Sequence, residues 1–365
     1  MKNMKNVGIM SMQRIKNYGS FLQSYALKSV IESFGNNVKF IDYTVEPCIV
    51  KNSGNRQNKI NLLVRYIKHR NTPKKRKMYQ TAKKFNENYE EYYNQLGISS
   101  KKIYRDAVDC LVIGSDEVFN CLQSNDDVGY SKELFGFNRN STYCISYAAS
   151  FGSTTYEELV NYGIFEEIAI MLSSFNAISV RDENSAQIVK KLINRRVNQN
   201  VDPVFIYDFE KEVSNKKMLD NYIVVYSYRG RMLEKEGKII RKFAKKNNKK
   251  LISLGGVSNF CDDYILCSPF EVLNYVKFAD YVITDTFHGT VFSIKYQKKF
   301  VSMVRNNNKQ KLLSLLHTFD LDDRLLSDLN KLEETIIKDY DYELTKVKIN
   351  NEIAKSINYL QKEIG

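Results

Sequence analysis

The sequence contains no tryptophan, only four prolines and only three histidines among 365 residues. It has no apolar run of the roughly 18–20 residues that a membrane helix needs, and no apolar core of a secretory signal follows its N-terminus. Its six cysteines form no CxxC pair and lack zinc-type spacing. We therefore interpret the cysteines as core residues of a protein in the reducing cytosol, and we expect no metal site.

Positive charge, in contrast, is abundant, with a formal net charge of +13. Part of it is concentrated in residues 51–84, where apolar residues interleave with the first lysines and arginines. Such a segment can lie on an anionic membrane surface or can be a solvated insertion, and both interpretations stay open. Because no nucleic-acid-binding motif accompanies it, we expect no nucleic-acid partner. The sequence predicts a cytoplasmic protein, with peripheral contact at the inner membrane face as the alternative to full solvation.

Strand-like and helix-like patterns alternate along the chain, which is typical of the α/β class. In the first half we predict strands near 6–10, 38–43, 109–114, 143–148 and 176–180, and helices at 19–34, 74–94, 155–173 and 183–193. In the second half we predict strands at 222–228, 250–254, 281–284 and 300–304, and helices at 232–246, 269–278, 289–296 and 312–319.

This pattern predicts two doubly wound, Rossmann-like domains that face each other across a cleft. We place the N-terminal domain at 1–210, with a basic insertion at 51–103, and the C-terminal domain at 211–330. Residues 331–365 form a helical tail in this interpretation. The cleft between the domains is the expected binding site.

Polar residues directly follow several of the predicted strands. Asp116 ends one apolar run, Arg181 follows another, and His288 comes just after the strand at 281–284. Ligands of open α/β sheets bind at the carboxyl ends of the strands. We therefore expect Asp116, Arg181 and His288 to face one cleft, although they are far apart in the sequence.

His288 also stands at the start of a predicted helix and is followed by Gly289. Backbone N–H groups at a helix N-terminus are unpaired, and the helix dipole adds positive potential there. This arrangement predicts a site for a phosphate or a carboxylate. The alternative is a capped helix that contains a buried histidine.

Six motifs resemble those of the polysaccharide pyruvyl transferase family, and they occur in the family's order over most of the chain. They are residues 17–27, 114–120, 146–152, 179–183, 201–203 and 284–290. The resemblance implies a fold like that of GT-B glycosyltransferases. It also implies transfer of pyruvate from phosphoenolpyruvate to two hydroxyls of a sugar in a cell-surface glycan precursor, which forms a cyclic ketal. The acceptor would be a lipid-linked sugar, and no cofactor is needed besides the donor substrate.

The resemblance, together with the chemistry that the reaction requires, suggests roles for individual residues. His288 would be the general acid or a phosphate ligand, and Asp116 would be the base on the sugar hydroxyl. The donor would be bound by Arg181, Asp285, Phe287, Gly289 and Thr290. The acceptor would be bound by Asn17, Tyr18 and Asn120. Structural roles remain open as well, namely an interdomain salt bridge for Arg181, a helix cap for Asp116 and turn stabilisation for the two asparagines.

The chain departs from the family pattern at one position. Several members have an arginine two residues before the histidine, where this chain has Thr286. Donor binding would then need another cation, and Arg305, Lys309 and Lys311 follow the next predicted strand. Two other functions compete with the pyruvyl transferase. One is a GT-B glycosyltransferase that uses a nucleotide-sugar, and the other is a non-catalytic glycan- or nucleic-acid-binding protein.

Overall fold

The computed structural model describes residues 4–50, 73–305 and 308–365. Two sheets, each of six parallel strands, form the centre of the molecule. The first has the strand order β2-β1-β3-β4-β5-β6. Its strands are β1 (Asn6–Met10), β2 (Asn37–Phe40), β3 (Val108–Asp116), β4 (Ser141–Ala149), β5 (Ser179–Val180) and β6 (Asn198–Gln199).

The second sheet has the strand order β12-β11-β10-β7-β8-β9 and is also parallel throughout. Its strands are β7 (Tyr222–Ser227), β8 (Lys250–Gly255), β9 (Asp263–Tyr264), β10 (Tyr281–Thr284), β11 (Lys299–Met303) and β12 (Leu325–Leu326). Every residue of β7 is buried, as expected for a central parallel strand that helices cover on both faces. The predicted α/β class with two Rossmann-like domains is thus confirmed.

Helices connect and cover the two sheets. In the first half they are α1 (Tyr18–Ser33), α2 (Pro73–Glu87), α3 (Tyr89–Leu96), α4 (Tyr156–Asn161), α5 (Phe165–Ser173), α6 (Glu183–Ile193) and α7 (Pro203–Ile206). In the second half they are α8 (Glu234–Lys246), α9 (Pro269–Lys277), α10 (Phe287–Lys295), α11 (Lys309–Thr318), α12 (Leu332–Ile337) and α13 (Tyr342–Ile364).

The predicted lengths of two helices are wrong. In each case the structure has two shorter helices in place of the one predicted. The helix predicted at 155–173 is divided into α4 and α5 at Gly163, whose φ of +67° lies in the left-handed region. Glycine adopts this conformation without steric cost, and the chain changes direction there. The helix predicted at 74–94 is likewise divided into α2 and α3 next to Asn88.

The two domains are in extensive contact through α1 and the pair α2–α3. The hydroxyl of Tyr18 on α1 donates to the carbonyl of Cys267 in the C-terminal domain at 3.0 Å. The Tyr92 hydroxyl on α3 lies 3.4 Å from the same carbonyl oxygen. The Phe85 ring on α2 packs edge-on against Tyr18, with a centroid distance of 4.9 Å. An aromatic cluster therefore lies at the junction of the domains.

The long helix α13 returns from the C-terminal domain to the first sheet. Its Tyr359 hydroxyl donates to the carbonyl of Ser146 on β4 at 2.8 Å. Its Ser356 hydroxyl accepts the backbone N–H of Val201 at 3.1 Å. The helix therefore packs against the N-terminal domain.

Most of the basic segment 51–84 lies outside the described residues, and only its last part, within α2, is described. Its predicted membrane contact therefore stays a prediction. Within the described ranges, no helix is both long and apolar enough to cross a membrane.

Candidate active site

His288 lies where the N-termini of two helices meet. It is on the first turn of α10, whose N-cap Thr286 accepts the backbone N–H of Gly289 at 2.9 Å. A Cβ atom placed on Gly19, on the first turn of α1, would lie only 2.3 Å from Nδ1 of His288. Only glycine therefore permits this contact between the domains. The positive ends of both helix dipoles are directed toward the imidazole, which favours an anion nearby.

Asp202, at the N-cap of α7, lies on the other side of the imidazole. Its Oδ2 atom is 3.5 Å from Nε2 of His288. This separation is longer than an ordinary N–H···O hydrogen bond, and Nε2 has no hydrogen-bond partner among the described residues. Burial alone would raise the pKa of Asp202, but His288 and then Arg181 outweigh burial and hold that pKa below its usual value. Asp202 is therefore a buried carboxylate that faces the imidazole.

Arg181 connects the two carboxylates of the site. Its Nη1 donates to Asp202 at 3.0 Å and its Nη2 to Asp116 at 3.3 Å. Its guanidinium lies over the ring of Phe287, 3.9 Å from the centroid, in a cation–π contact between the domains. The side chain is only 2% exposed, and its Nε has no partner among the described residues. Burial would lower the pKa of Arg181, but Asp116 and Asp202 raise it, so the group keeps its charge.

Asp116 ends β3 with a φ of +77°, a left-handed conformation that is strained for a residue with a side chain. Besides Arg181, its carboxylate accepts the Ser20 hydroxyl at a distance of 3.4 Å. Its side chain is 15% exposed, more than that of Arg181 or His288. Asp116 is thus the cluster member best placed to meet a second substrate from solvent.

The structure brings His288, Asp116, Arg181 and Phe287 together, but it engages other predicted residues in internal contacts. Asn17 caps α1, because its Oδ1 accepts the N–H of Ser20 at 2.8 Å. Tyr18 is buried at the domain junction, and burial raises its pKa. The Thr290 hydroxyl bonds the Thr286 carbonyl at 3.0 Å and the Ser302 hydroxyl at 2.7 Å. The donor and acceptor roles assigned to these residues stay predictions.

Asp285 belongs to a second charged cluster, which lies within the C-terminal domain. Its Oδ2 accepts from Nε of Arg305 at 2.9 Å and lies 3.6 Å from Nε of Arg231. Arg305 also makes two hydrogen bonds to Glu236, at 2.7 and 3.0 Å. Of the three cations suggested to compensate for Thr286, Arg305 is therefore fully engaged by carboxylates. Lys309 is exposed.

Lys311 is the third of these cations, and it reaches across the cleft. Its ammonium group forms an ion pair with Glu117, the residue after Asp116. Burial would raise the pKa of Glu117, but Lys311 lowers it to about 2. Asn120 contributes to this lowering, since its Nδ2 donates to the Glu117 carboxylate at 2.7 Å. Asn120 therefore positions Glu117.

Sequence reasoning missed three members of the site, namely Gly19, Asp202 and Glu117. The Asp202-Pro203 pair could have pointed to Asp202 as a site residue. Proline is common at the first position of a helix, so the aspartate before it is a candidate N-cap. The pair also follows a short predicted strand, and ligands bind at the carboxyl ends of strands. Glu117 follows Asp116 directly and could have been included on that ground. Nothing in the local sequence indicates that Gly19 contacts a residue 269 positions later in the chain.

The cluster is closed to solvent in this conformation, since the Asp202 side chain is fully buried and that of His288 is only 5% exposed. A cavity of about 410 Å³ occurs elsewhere, between the segment from Glu212 to Met218 and helix α9. We place the site at the cluster, because charged groups of both domains converge there. No group of three or more potential metal ligands occurs in the described ranges.

The overall fold is similar to that of several solved structures. The chain is similar to a UDP-N-acetylglucosamine 2-epimerase from Neisseria meningitidis bound to UDP-GlcNAc, with a TM-score of 0.52, 8% identity, and coverage of 98% of this chain and 100% of that chain. It is also similar to UGT89C1 of Arabidopsis thaliana complexed with UDP-L-rhamnose, with a TM-score of 0.51, 11% identity and full coverage of both chains. The protein thus has a GT-B-like fold, with the candidate site in the cleft between its domains.

A family comparison is more specific than these fold similarities. The family model for polysaccharide pyruvyl transferase matches residues 17–308. The chain therefore belongs to the polysaccharide pyruvyl transferase family, as the motifs predicted. No curated protein matches the chain in sequence.

Proposed function

We propose that the protein transfers pyruvate from phosphoenolpyruvate to two hydroxyls of a sugar in a cell-surface glycan precursor, forming a cyclic ketal. Membership of the family supports a transferase of this kind. The observation that carries the specific proposal is the meeting of Arg181 and His288 from opposite domains, where the buried Nε of Arg181 has no hydrogen-bond partner among the described residues. Buried polar groups are normally paired, so an unpaired nitrogen marks a place for a ligand.

The cationic groups of this cluster suit an anionic donor, which would compete with Asp116 and Asp202 for them. Phosphoenolpyruvate carries a phosphate and a carboxylate, and guanidinium groups bind either with parallel hydrogen bonds. The converging N-termini of α1 and α10 add positive potential at the same place. In this proposal Arg181 binds one anionic group, and the backbone N–H groups at the start of α10, at Phe287 and His288, bind the other, since that of Gly289 is paired with Thr286.

The chemistry proceeds in two steps at C2 of the donor, an addition and then a substitution. The first sugar hydroxyl adds to C2 while the methylene carbon gains a proton and becomes a methyl group. The second hydroxyl then displaces phosphate from C2, and its proton leaves with the phosphate. The C=C π bond and the C–O bond to phosphate are broken, and one C–H bond and two C–O bonds to the sugar are formed, with no oxidant or reductant required.

His288 supplies the proton to the methylene carbon in this scheme, and Asp116 accepts the proton of the attacking hydroxyl. Nε2 of His288 faces Asp202, so we assign proton delivery to Nδ1. Nδ1 lies against Gly19 of the opposite domain. Substrates would therefore enter an open state of the domains in which Nδ1 is uncovered, and would be held between the domains during the reaction.

The acceptor would be a lipid-linked sugar at the inner face of the membrane. The positive net charge of +13 and the basic segment 51–84 support this part of the proposal, since such segments are attracted to anionic lipids. Both amide atoms of Asn120 are engaged by Glu117 and Thr154, so the more exposed Asp116 is the residue best placed to contact a sugar hydroxyl. The acceptor sugar itself would be identified by assay.

The test is phosphate release from phosphoenolpyruvate in the presence of a panel of lipid-linked and nucleotide-linked sugars, with mass spectrometry of the product. We expect release that depends on an acceptor, together with an acceptor that has gained a pyruvate ketal. Transfer of a sugar from a nucleotide-sugar, without consumption of phosphoenolpyruvate, would instead establish the glycosyltransferase alternative.

A further inference from the structure

The ion pair between Lys311 and Glu117 connects the two domains at the edge of the charged cluster. Lys311 is on the first turn of α11 in the C-terminal domain, and Glu117 follows β3 in the N-terminal domain. Their side chains are 13% and 27% exposed, so the pair lies at the rim rather than in the buried centre. The scheme proposed above gives neither residue a role.

Glu117 is held in place from its own domain. Asn120 Nδ2 donates to Oε2 of Glu117, and Asn120 Oδ1 in turn accepts the Thr154 hydroxyl at 2.9 Å. A Cβ atom on Gly152 would lie 2.4 Å from both Oε2 of Glu117 and Nδ2 of Asn120. A residue with a side chain at position 152 would therefore clash with this pair. The carboxylate is thus a fixed acceptor.

Lys311, in contrast, has a flexible side chain and three donor hydrogens. Glu117 is the one hydrogen-bond partner described for its ammonium group. One turn further along α11, the Ser314 hydroxyl accepts the backbone N–H of Glu183 at 3.2 Å. Since Glu183 starts α6, two residues after Arg181, α11 lies directly against the strand end that carries Arg181.

The charge of Arg181 also acts on Glu117, because it is among the causes that lower the pKa of that carboxyl group. Glu117 therefore lies within the electrostatic field of the buried cluster, and Lys311 is one ion pair further out. A bound dianion at Arg181 would compete with Glu117 for the ammonium group of Lys311. Like charges near each other are unfavourable, so Glu117 would also repel that dianion.

We propose that Lys311 is a second cationic ligand of the anionic donor, and that Glu117 is its resting counter-ion, which the donor displaces. This inference rests on the proposed function for the identity of the donor. It applies equally to inorganic phosphate, the product that the same groups would hold before release. Lys311 then contributes the charge that Thr286 does not supply at the start of α10.

The affinities of variants distinguish an ion pair with a purely structural role from a pair in which Lys311 binds the anion. If the pair only holds the domains together, removing either partner weakens the closed state, and anion affinity falls in both variants. If Lys311 binds the anion, then Lys311→Met weakens binding, whereas Glu117→Gln frees Lys311 and removes a negative charge, which strengthens binding. The two variants therefore change affinity in opposite directions.

The experiment is calorimetric titration of the full chain with phosphoenolpyruvate and, separately, with inorganic phosphate. We expect Lys311→Met to weaken the affinity for both anions about tenfold, as for loss of one charged hydrogen bond. We expect Glu117→Gln to tighten it about threefold, a smaller change because the amide can still hold Asn120. The exposed neighbour Lys309 provides the matched control, and Lys309→Met should leave both affinities unchanged.

Thermal unfolding of each variant shows whether it is folded before it is titrated. A change of the same sign in both variants, or an unchanged affinity in folded Lys311→Met, would overturn the inference, as would a wild-type chain that binds neither anion. The proposed function fails separately, when phosphoenolpyruvate binds no more tightly than phosphate. In that case the phosphate titrations still determine whether Lys311 binds anions.

Discussion

Two charged clusters lie near the cleft, and they differ in what they leave unpaired. The Arg181 cluster joins both domains and leaves Nε of Arg181 without a hydrogen-bond partner among the described residues. The Arg305 cluster lies within the C-terminal domain, where every nitrogen of the guanidinium has a partner. Its unpaired atom is Oδ1 of Asp285, an acceptor.

This difference separates a binding cluster from a structural one. An anionic substrate is attracted to spare nitrogen donors and repelled by a spare carboxylate oxygen. Buried ion pairs alone are weak evidence of either role, because both clusters contain them. The unpaired atoms, and the convergence of two domains, are what favour the Arg181 cluster as the site.

The largest expected effect is on turnover in His288→Ala. Loss of a general acid should lower kcat by at least about 100-fold. The exposed His317 provides the control, since its side chain is 83% exposed and lies outside the cluster. Steady-state kinetics and thermal unfolding of both variants check this. Near-normal turnover in folded His288→Ala would remove the residue from the mechanism.

The difference between the two clusters is tested by replacing Arg181 and Arg305, one at a time, with lysine. Lysine keeps the positive charge but cannot make two parallel hydrogen bonds. We expect Arg181→Lys to raise the KM for the donor about tenfold, since a charged hydrogen bond is lost. Arg305→Lys should lower stability and leave the KM nearly unchanged, because Arg305 bonds only its own domain. The reverse result would exchange the roles of the two clusters.

Asp202→Asn should produce a smaller change. The carboxylate faces Nε2 of His288 and accepts from Arg181, so its loss should disturb the position of both groups and lower kcat about fivefold. Steady-state kinetics check this, and Asp285→Asn in the other cluster is the matched change, which should leave kcat nearly unchanged. Normal turnover in folded Asp202→Asn would mean that Asp202 does not act through His288.

The smallest expected effect concerns Lys295, at the other end of α10 from His288. Burial lowers the pKa of its ammonium group to about 8, below the usual 10.5. Between these values the unfolded chain binds more protons than the folded one, so the free energy of unfolding rises with pH. In Lys295→Met the part of that rise that comes from Lys295 should be absent. Denaturant unfolding across the window tests it, with exposed Lys346→Met as the control.

The sequence predicted those parts of the fold and the site that depend on local pattern. Apolar runs gave the strands, and the polar residues after them gave Asp116, Arg181 and His288, because parallel strands have their carboxyl ends at one edge. The N-terminus of α10 was also recognised from the residues around His288. These features repeat along the chain and need no knowledge of distant contacts.

The remaining features depend on contacts between distant residues. The pairing of Asp202 with His288, and the approach of Gly19 to the imidazole, follow from the docking of two domains. The engagement of Asn17 and Thr290 in capping and internal hydrogen bonds depends on side-chain orientation. The division of the helix at Gly163 was missed because the apolar pattern continues on both sides of it.

We propose that the cluster of Arg181 and His288 binds phosphoenolpyruvate. The most direct measurement is the melting temperature of the wild-type chain with phosphoenolpyruvate, with inorganic phosphate and with a panel of nucleotide diphosphates. We expect a larger rise with phosphoenolpyruvate than with phosphate, and this rise should be reduced in Arg181→Lys and retained in Arg305→Lys. A rise with a nucleotide diphosphate alone would contradict phosphoenolpyruvate as the donor.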